Sequence, residues 1–494
     1  MSNPALPQPL PAVTPAKPFL DELFGGFWPE QSLPAGPGRV VAALGAGLLA
    51  AVVLPFRGAG LGTFAALLVA ALVVAAADRR LRTPYHLATA TLCLLLLSTV
   101  MVRDAVWIVA LCLMASFAVA VATLTGGRSL PGLLMSGTAV PLAPLRGLPW
   151  LGRSLTVSQR SRSWAPLLRT GLISAALLLV FGLLFASADA LFARWAAAVV
   201  PDITAPTLVL RAFVTVAVAG LTLIGVYVAL NPPHVENLAL PEATPVRRPF
   251  EWLVPVGIVV ALFAAFVVAQ LAVMFGGHAY LRRTTGLTYA EYVHQGFGQL
   301  TAATVLTLAV VGVAARKASR ATARDRLLLR LVLGLLCLLT LVVVASALYR
   351  MHVYEQAYGF TRLRLLVSVF EAWLGLVLVL VLGAGLRLRG TWVPRAVLLT
   401  GAASLLALSA VNPDAYIARH NVERFERTGK VDTTYLSGLS ADAVPTLARP
   451  GVPLGCLPAR GADDDWLEWN LGRWRAAHQE PVATASTRGC RVLP

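Results

Sequence analysis

The chain has 494 residues, of which 57% are hydrophobic and only 13% charged, against about 45–50% apolar and about 25% charged in soluble domains. That balance excludes a string of soluble domains and makes lipid the main solvent. The formal charge of +17 does not point to nucleic acid. The basic residues are almost all Arg and lie in short loops between apolar runs, as in membrane proteins, and no RNP-like, zinc-finger or basic-helix pattern accompanies them. The preference for Arg, Ala, Leu, Gly and Pro fits a GC-rich bacterial genome.

Residues 1–38 form a Pro-rich tail. It carries little positive charge and its first apolar run begins only near Arg39, so it does not read as a cleavable signal peptide. Aromatics mixed with Asp21 and Glu22 in residues 19–28 suggest an interfacial or disordered segment, with a partner-binding motif as the alternative.

Residues 39–411 read as a transmembrane helical domain. A span needs roughly 20 apolar residues, and runs that qualify begin near Val40, Gly58, His86, Ala105, Leu167, Thr207, Trp252, Gly296, Leu327, Leu365 and Trp392, giving about eleven spans. Gly58, Gly60 and Gly62 suit a tight turn or a close helix contact. They lack the strand–turn–helix setting of a nucleotide fingerprint. Residues 126–164 are too polar and Pro-rich to span and read as a loop with interfacial pieces around Pro149, and residues 231–249 as a second loop.

Alternate loops differ in charge. One set holds Arg79, Arg80, Arg82, Arg128, Arg146, Arg153, Arg160, Arg162, Arg247, Arg248, Arg316, Lys317, Arg320, Arg324, Arg326, Arg387 and Arg389, whereas the other begins sparsely with Arg57, Arg103 and Arg194. The rich set is expected on the cytoplasmic side. With an odd number of spans the N-terminus is then inside and everything after Val411 outside, in a bacterial cytoplasmic membrane.

Residues 412–494 turn polar, charged and aromatic and read as a small helical extracytoplasmic domain. Asn412 is placed to cap a helix with Pro413 at its first position, Asp414 favours the positive end of the helix dipole, and Gly429 ends the helix. A second helix is expected from Ser440 or Asp442, and a third from Asp463 to about His478. Cys93, Cys112 and Cys337 lie in apolar spans as small core residues. Cys456 and Cys490 stand alone in the tail, and an oxidising compartment favours a disulfide between them; two free thiols or a metal pair are the alternatives, the latter without CxxC-type spacing.

Ionisable residues within spans carry a functional prior because burying them is costly. Here they gather near the outer ends of the later helices. Thr288 and Glu291 form a capping box, after which Glu291, Gln295 and Gln299 share one helical face. Arg350, Tyr354 and Tyr358 share another, with His352 and Glu355 beside it, and Gly359 ends that helix. Thr361 is placed to cap the next helix, so Arg362 and Arg364 sit at an N-terminus, the wrong end for positive charge. Glu371, two turns further on, is the deepest carboxylate in the sequence. Three readings stay open. Arg snorkels to head groups while Glu371 clamps two helices by pairing with Arg350 or Arg364. Alternatively, the cluster is an outward pocket for an anion whose base is an Arg350–Glu371 pair, or Glu371 belongs to a proton pathway.

The segments 412–424, 432–437 and 439–445 resemble a family of polytopic bacterial membrane proteins known only as a domain of unknown function (numbered four-one-seven-three, with a sister four-one-five-three). Residues 184–189, 289–297 and 350–359 are also similar to stretches of it. The resemblance covers roughly residues 167–477 and implies no activity and no catalytic residue.

No GxSxG, HExxH or P-loop pattern occurs, and the Asp463, Asp464 and Asp465 run reads as helix-terminal charge. The sequence therefore points to an all-α polytopic transmembrane bundle with no cofactor and no metal. Its expected partners are the lipid bilayer and an anionic lipid or small anionic ligand. The leading function is a non-enzymatic envelope protein for binding, sensing or scaffolding. A transporter of an anionic or proton-coupled solute and an enzyme on a lipid-linked substrate are the alternatives.

Overall fold

A computed structural model describes residues 27–28, 36–160, 205–238, 248–285, 297–449 and 464–479, with part of 170–199. The described residues are helical and contain no strand. Eight helices are long and apolar enough to cross a membrane. In chain order the helices are α1 (Pro37–Val53), α2 (Leu61–Ala77), α3 (Pro84–Val102), α4 (Val106–Thr125), α5 (Leu130–Ser136), α6 (Ala139–Arg160), α7 (Ala190–Val199), α8 (Ala205–Leu230), α9 (Phe250–Thr285), α10 (Phe297–Lys317), α11 (Ala323–Tyr358), α12 (Arg362–Arg387) and α13 (Val393–Ala410). The spanning eight are α3, α4, α8 to α13, with α8 and α9 counted as Thr207–Leu230 and Phe250–Leu271. Helices α1 and α2 are apolar but shorter, at 17 residues each. The run expected from Leu167 lies mostly outside the described residues, so ten of the eleven expected apolar runs are found as helices.

Lipid offers no hydrogen-bond partner to a backbone, so each span keeps its bonds within the helix, and large apolar side chains such as Leu72, Met114, Phe117, Val216, Leu262 and Leu306 are left on the outside. Inside, one core joins α2, α6 and α8 around Trp28, Trp150 and Tyr227. A second joins α9 to α12, and a third joins α3, α4, α12 and α13. Gly47 permits the tight crossing of α1 and α8, because a Cβ there would sit 3.0 Å from that of Ala219.

Two expectations about local structure change. Residues 126–160 are not an irregular loop: they form α5 and the long α6, which carries Pro144 and Pro149 within it. Ala139, Ala143, Arg146 and Trp150 are buried along α6, at the three- and four-residue spacing of one helix face, and Trp150 packs edge-on against Tyr227. The third tail helix is also shorter than expected. It covers only Leu471–Ala477, because the Asn470 side chain caps it through the Gly472 and Arg473 N–H groups. Upstream, the Asp465 carboxylate accepts from the Leu467 and Glu468 N–H groups and holds a turn instead.

The loops of the bundle segregate to two ends. At one end Arg395 donates to the Gly126 and Gly127 carbonyls, Arg80 donates to the Leu124 carbonyl, and Glu236 accepts from the Arg128 and Ser129 N–H groups. His86 Nδ1 lies 2.6 Å from Asp78 at the same end. The described residues after Val411 sit at the other end. There α14 (Pro413–Thr428), α15 (Thr433–Ser437), α16 (Val444–Leu447) and α17 (Leu471–Ala477) form a cap across the α1–α2, α3–α4 and α11–α12 turns. The cap has its own core, Ile417, Ala418, Val422, Leu436, Leu439, Ala443 and Leu447, which also takes in Phe360 from the α11–α12 turn.

Candidate functional site

Apart from the loop contacts at the far end, the polar contacts among the described residues form a layer between cap and bundle and a smaller set within the spans. The layer is built on acidic residues of the α3–α4 turn and the cap. Asn412 turns the chain at a φ of 60° and its side chain accepts from the Ala415 N–H, which starts α14. That start places Asp414 at 0% exposure. Arg362 donates to both of its oxygens, at 3.0 and 2.5 Å, the Ser440 N–H donates at 2.9 Å and Trp107 Nε1 at 3.0 Å. Burial alone raises a carboxyl pKa, but these donors outweigh it and hold Asp414 below the usual aspartate range.

Asp104 and Asp442 exchange backbone contacts across the same layer. Asp442 Oδ2 accepts from the Asp104 and Ala105 N–H groups at 2.8 and 3.0 Å, and Asp104 accepts from the Ala441 N–H. Burial prevails at Asp442 and pushes its carboxyl above the usual range, against the pull of those two N–H groups and of Arg103. Arg473 donates to Asp104 and Asp464 and to the carbonyls of Ala59 and Glu468. Asn470, 1% exposed, donates to the Val100 and Arg103 carbonyls that end α3. Arg103 itself donates to the Ser409 and Ala410 carbonyls that end α13.

The glycines of residues 58–62 find their role here. Gly58 N–H donates to Glu468, Leu61 N–H to the Trp469 carbonyl and Gly62 N–H to the Leu467 carbonyl. A Cβ on Gly60 would collide with the Glu468 backbone. The triplet therefore admits a segment of the cap, and Gly62 also permits the close approach of Val53 on α1. Arg57 donates to Asp465 beside it.

The second group lies on α9 to α12. Glu371 is 0% exposed, and Glu355 5%. Glu371 Oε2 accepts from Thr301 on α10 at 2.9 Å, and its Oε1 has no hydrogen-bond partner among the described residues. Glu355 lies 3.5 Å from the Ser368 hydroxyl. Arg350 is buried and donates to Gln270 on α9 at 2.6 Å, and Ser346 donates to the same oxygen. The expected Arg350–Glu371 pair is therefore not what holds Glu371, whose partner is Thr301. The Gln270 amide oxygen on the facing α9 takes the Arg350 guanidinium instead.

Of the remaining expected site residues, Arg364, Tyr354 and Tyr358 come together and the others lie apart from them. Arg364 donates to the Tyr358 and Gly359 carbonyls at the end of α11 and lies over the Tyr354 ring, 4.4 Å from its centre. Tyr354 and Tyr358 stack at 4.8 Å. His352 is exposed and meets Gln356, one turn away. Arg362 faces the cap. Glu291, Gln295, Cys456 and Cys490 lie outside the described residues. Thr361 caps α12 as expected, and Gly359 ends α11 at a φ of 85°.

Residues 90–449, most of the bundle together with α14 to α16, match the family described as Domain of unknown function (DUF4153). The chain belongs to that family. No curated protein and no solved structure matches it. The family match runs through Trp107, Arg362, Asp414, Ser440 and Asp442 and stops before residues 464–479, so it spans the center of the cap layer and leaves out the segment that closes on Gly58–Gly62. Sequence reasoning found Arg362 through its misfit at a helix N-terminus. It took Asp414 only as a dipole partner and Asp442 only as a helix start, and missed Asp104 and Trp107.

Proposed function

We propose that the protein is a non-enzymatic, multi-pass envelope protein of the binding or scaffold class, which presents its cap as a rigid surface outside the cytoplasm. The observation that carries this reading is the sealing of the cap by Asp414. A tail that merely trailed from the last span would need no fully buried carboxylate with four donors drawn from α4, α12 and the cap itself. A docked cap has already lost the ordering entropy that a free tail would lose on meeting a partner. Asp104, Asp442, Asp464, Asp465, Arg103 and Arg473 all make contacts that hold the cap in place, which weighs against a role for them as nucleophile or base. Arg362 and Arg364 are likewise engaged by Asp414 and by carbonyls, which weighs against the anion-pocket alternative. The orientation rests on the Arg-rich loops at the end opposite the cap.

The test is site-specific photo-crosslinking in intact cells. Crosslinkers at Glu423 and Arg427, exposed on α14, are expected to yield a discrete protein adduct that disappears in the Asp414→Ala variant. Crosslinkers at the equally exposed Arg389 should yield none. A reporter active only in the cytoplasm, fused at Pro494, should be silent. Adducts confined to lipid at the α14 positions, or turnover of a lipid-linked substrate by the purified protein, would overturn the reading.

A further inference from the structure

We propose that Glu371 and Thr301 form an exchangeable proton-binding site between α12 and α10, inside the membrane domain and separate from the cap. The position comes first. Glu371 is nine residues into α12, about 14 Å along the helix at 1.5 Å per residue, which is close to half of a hydrocarbon layer roughly 30 Å thick. The residue is fully buried, so its carboxyl group can neither snorkel nor reach head groups. An ionised carboxylate there needs a cation or several donors. It has one hydroxyl contact, and its second oxygen has no partner among the described residues.

The geometry around Thr301 shows how the site holds a proton. A threonine hydroxyl has a single hydrogen and two acceptor lone pairs. Two acceptors lie in reach of it: Glu371 Oε2 at 2.9 Å and the Phe297 carbonyl of its own helix at 3.3 Å. When Glu371 is ionised, Thr301 donates to it. When the carboxylate takes one proton from solvent, the neutral acid donates to Thr301 and the threonine hydrogen turns to the Phe297 carbonyl. Both states are hydrogen-bonded, and only the neutral one removes the charge from the low-dielectric interior. The hydroxyl thus serves as a two-position relay.

Among the described residues, the groups that face this site from neighbouring elements are few. On α11 are Glu355, close to Ser368, and Arg350, which donates to Gln270 of α9. Ser368 and Glu371 are three residues apart on α12 and so one turn from each other, which makes Glu355 the next carboxyl toward the cap. Arg362 of α12 is neutralised by Asp414 of α14, and Tyr416 of α14 lies within electrostatic reach of Glu355. On α13, Arg395 is held at the opposite end by Gly126 and Gly127. On α10, Arg316 and Lys317 are in the last turn, also away from Thr301.

The full chain in phosphatidylethanolamine–phosphatidylglycerol vesicles tests this in two ways. Dicyclohexylcarbodiimide, which is membrane-soluble and reacts with neutral carboxylic acids, should modify Glu371 at neutral pH, with labelling that declines as pH rises. A water-soluble carbodiimide should leave it untouched. Glu371→Gln should lose the modified peptide completely, and Glu355→Gln should retain it. Independently, a pH-difference infrared spectrum should contain a carboxylic-acid carbonyl band that Glu371→Gln abolishes and Thr301→Val shifts. The infrared arm does not depend on reagent access. The proposal is overturned if no acid carbonyl band responds to Glu371→Gln between mildly acid and mildly alkaline pH. It is also overturned if sodium at constant pH suppresses the labelling, which would make the site one for a metal cation.

Discussion

Replacing Asp414 by Ala removes the acceptor shared by Arg362, the Ser440 N–H and Trp107 Nε1. Breaking a buried ion pair from one side costs about 3–5 kcal/mol. The Arg362 side chain keeps 35% exposure, so water recovers part of the guanidinium and the charge contribution belongs at the lower end of that range. The two orphaned N–H groups add about 1–3 kcal/mol each at most, and contributions from one network do not sum. A net loss of about 3 kcal/mol corresponds to on the order of a hundredfold in the docking equilibrium of the cap. Limited proteolysis of the protein in nanodiscs reads this directly, because cleavage tracks the open population when reclosing is fast. The connection between α14 and α15 should be cut on the order of a hundred times faster in Asp414→Ala. The comparison is Asp432→Ala, which removes only the cap of the short α15 and should cost about 1 kcal/mol. If Asp414→Ala is cut no faster than Asp432→Ala, the buried carboxylate does not hold the cap and the reasoning fails.

Hydrogen exchange across a pH series, corrected for intrinsic rates, should reveal opposite contributions from two buried aspartates. Asp414 is held below the ordinary range, so its contribution is complete above the unfolded aspartate pKa and is lost as pH falls through its lowered folded value. Asp442 is raised, so docking is strongest when it is protonated and weakens as pH rises from the ordinary aspartate range through its folded value; Asp442→Asn should erase this second slope and leave the acid limb of Asp414. Gly60→Ala places a Cβ against the Glu468 backbone and should expose residues 464–479 to exchange, whereas Gly45→Ala, which meets nothing within 4 Å, should stabilise α1 by up to about 1 kcal/mol. Asn470→Ala leaves the Val100 and Arg103 carbonyls without their donor and should cost about 1–3 kcal/mol, seen as faster exchange in α17.

Spans and their punctuation were legible in the sequence because single residues determine them. Asn412, Thr361, Gly359 and Gly429 end or start helices through their own side chains or backbone freedom, and a run of apolar residues is its own signal. The polar layer was legible only as a misfit. Arg362 violates the helix dipole, and the violation is removed by Asp414, 52 residues later. Nothing local in the sequence near Arg362 encodes that partner. Asp442 and Asp104 were harder still, since each accepts from backbone N–H groups more than 300 residues away and backbone donors leave no trace in composition. The helix α6 was obscured for a different reason: Pro144 and Pro149 read as breakers, whereas burial of Ala143, Arg146 and Trp150 along one face overrides them.

Asp414 and Glu371 can be separated by counting donors against the cost of burial. An ionised carboxylate taken from water loses several kcal/mol that only charged or multiple hydrogen bonds restore. Asp414 receives four such bonds, two of them from a guanidinium, and charge-assisted bonds are roughly twice as strong as neutral ones. It is therefore stable as an anion, and its chemistry is complete once the cap is seated. Glu371 is buried as fully but receives one neutral hydroxyl, and its other oxygen has no partner among the described residues. One neutral bond of about 1 kcal/mol cannot offset the burial of a charge, so the carboxyl must be neutralised by something that binds it. A carboxylate that stays ionised inside a fold, as Asp414 does, is surrounded by donors before any ligand arrives. One that is left short of donors in a well-packed interior is where a small ion, the proton first among them, makes up the difference.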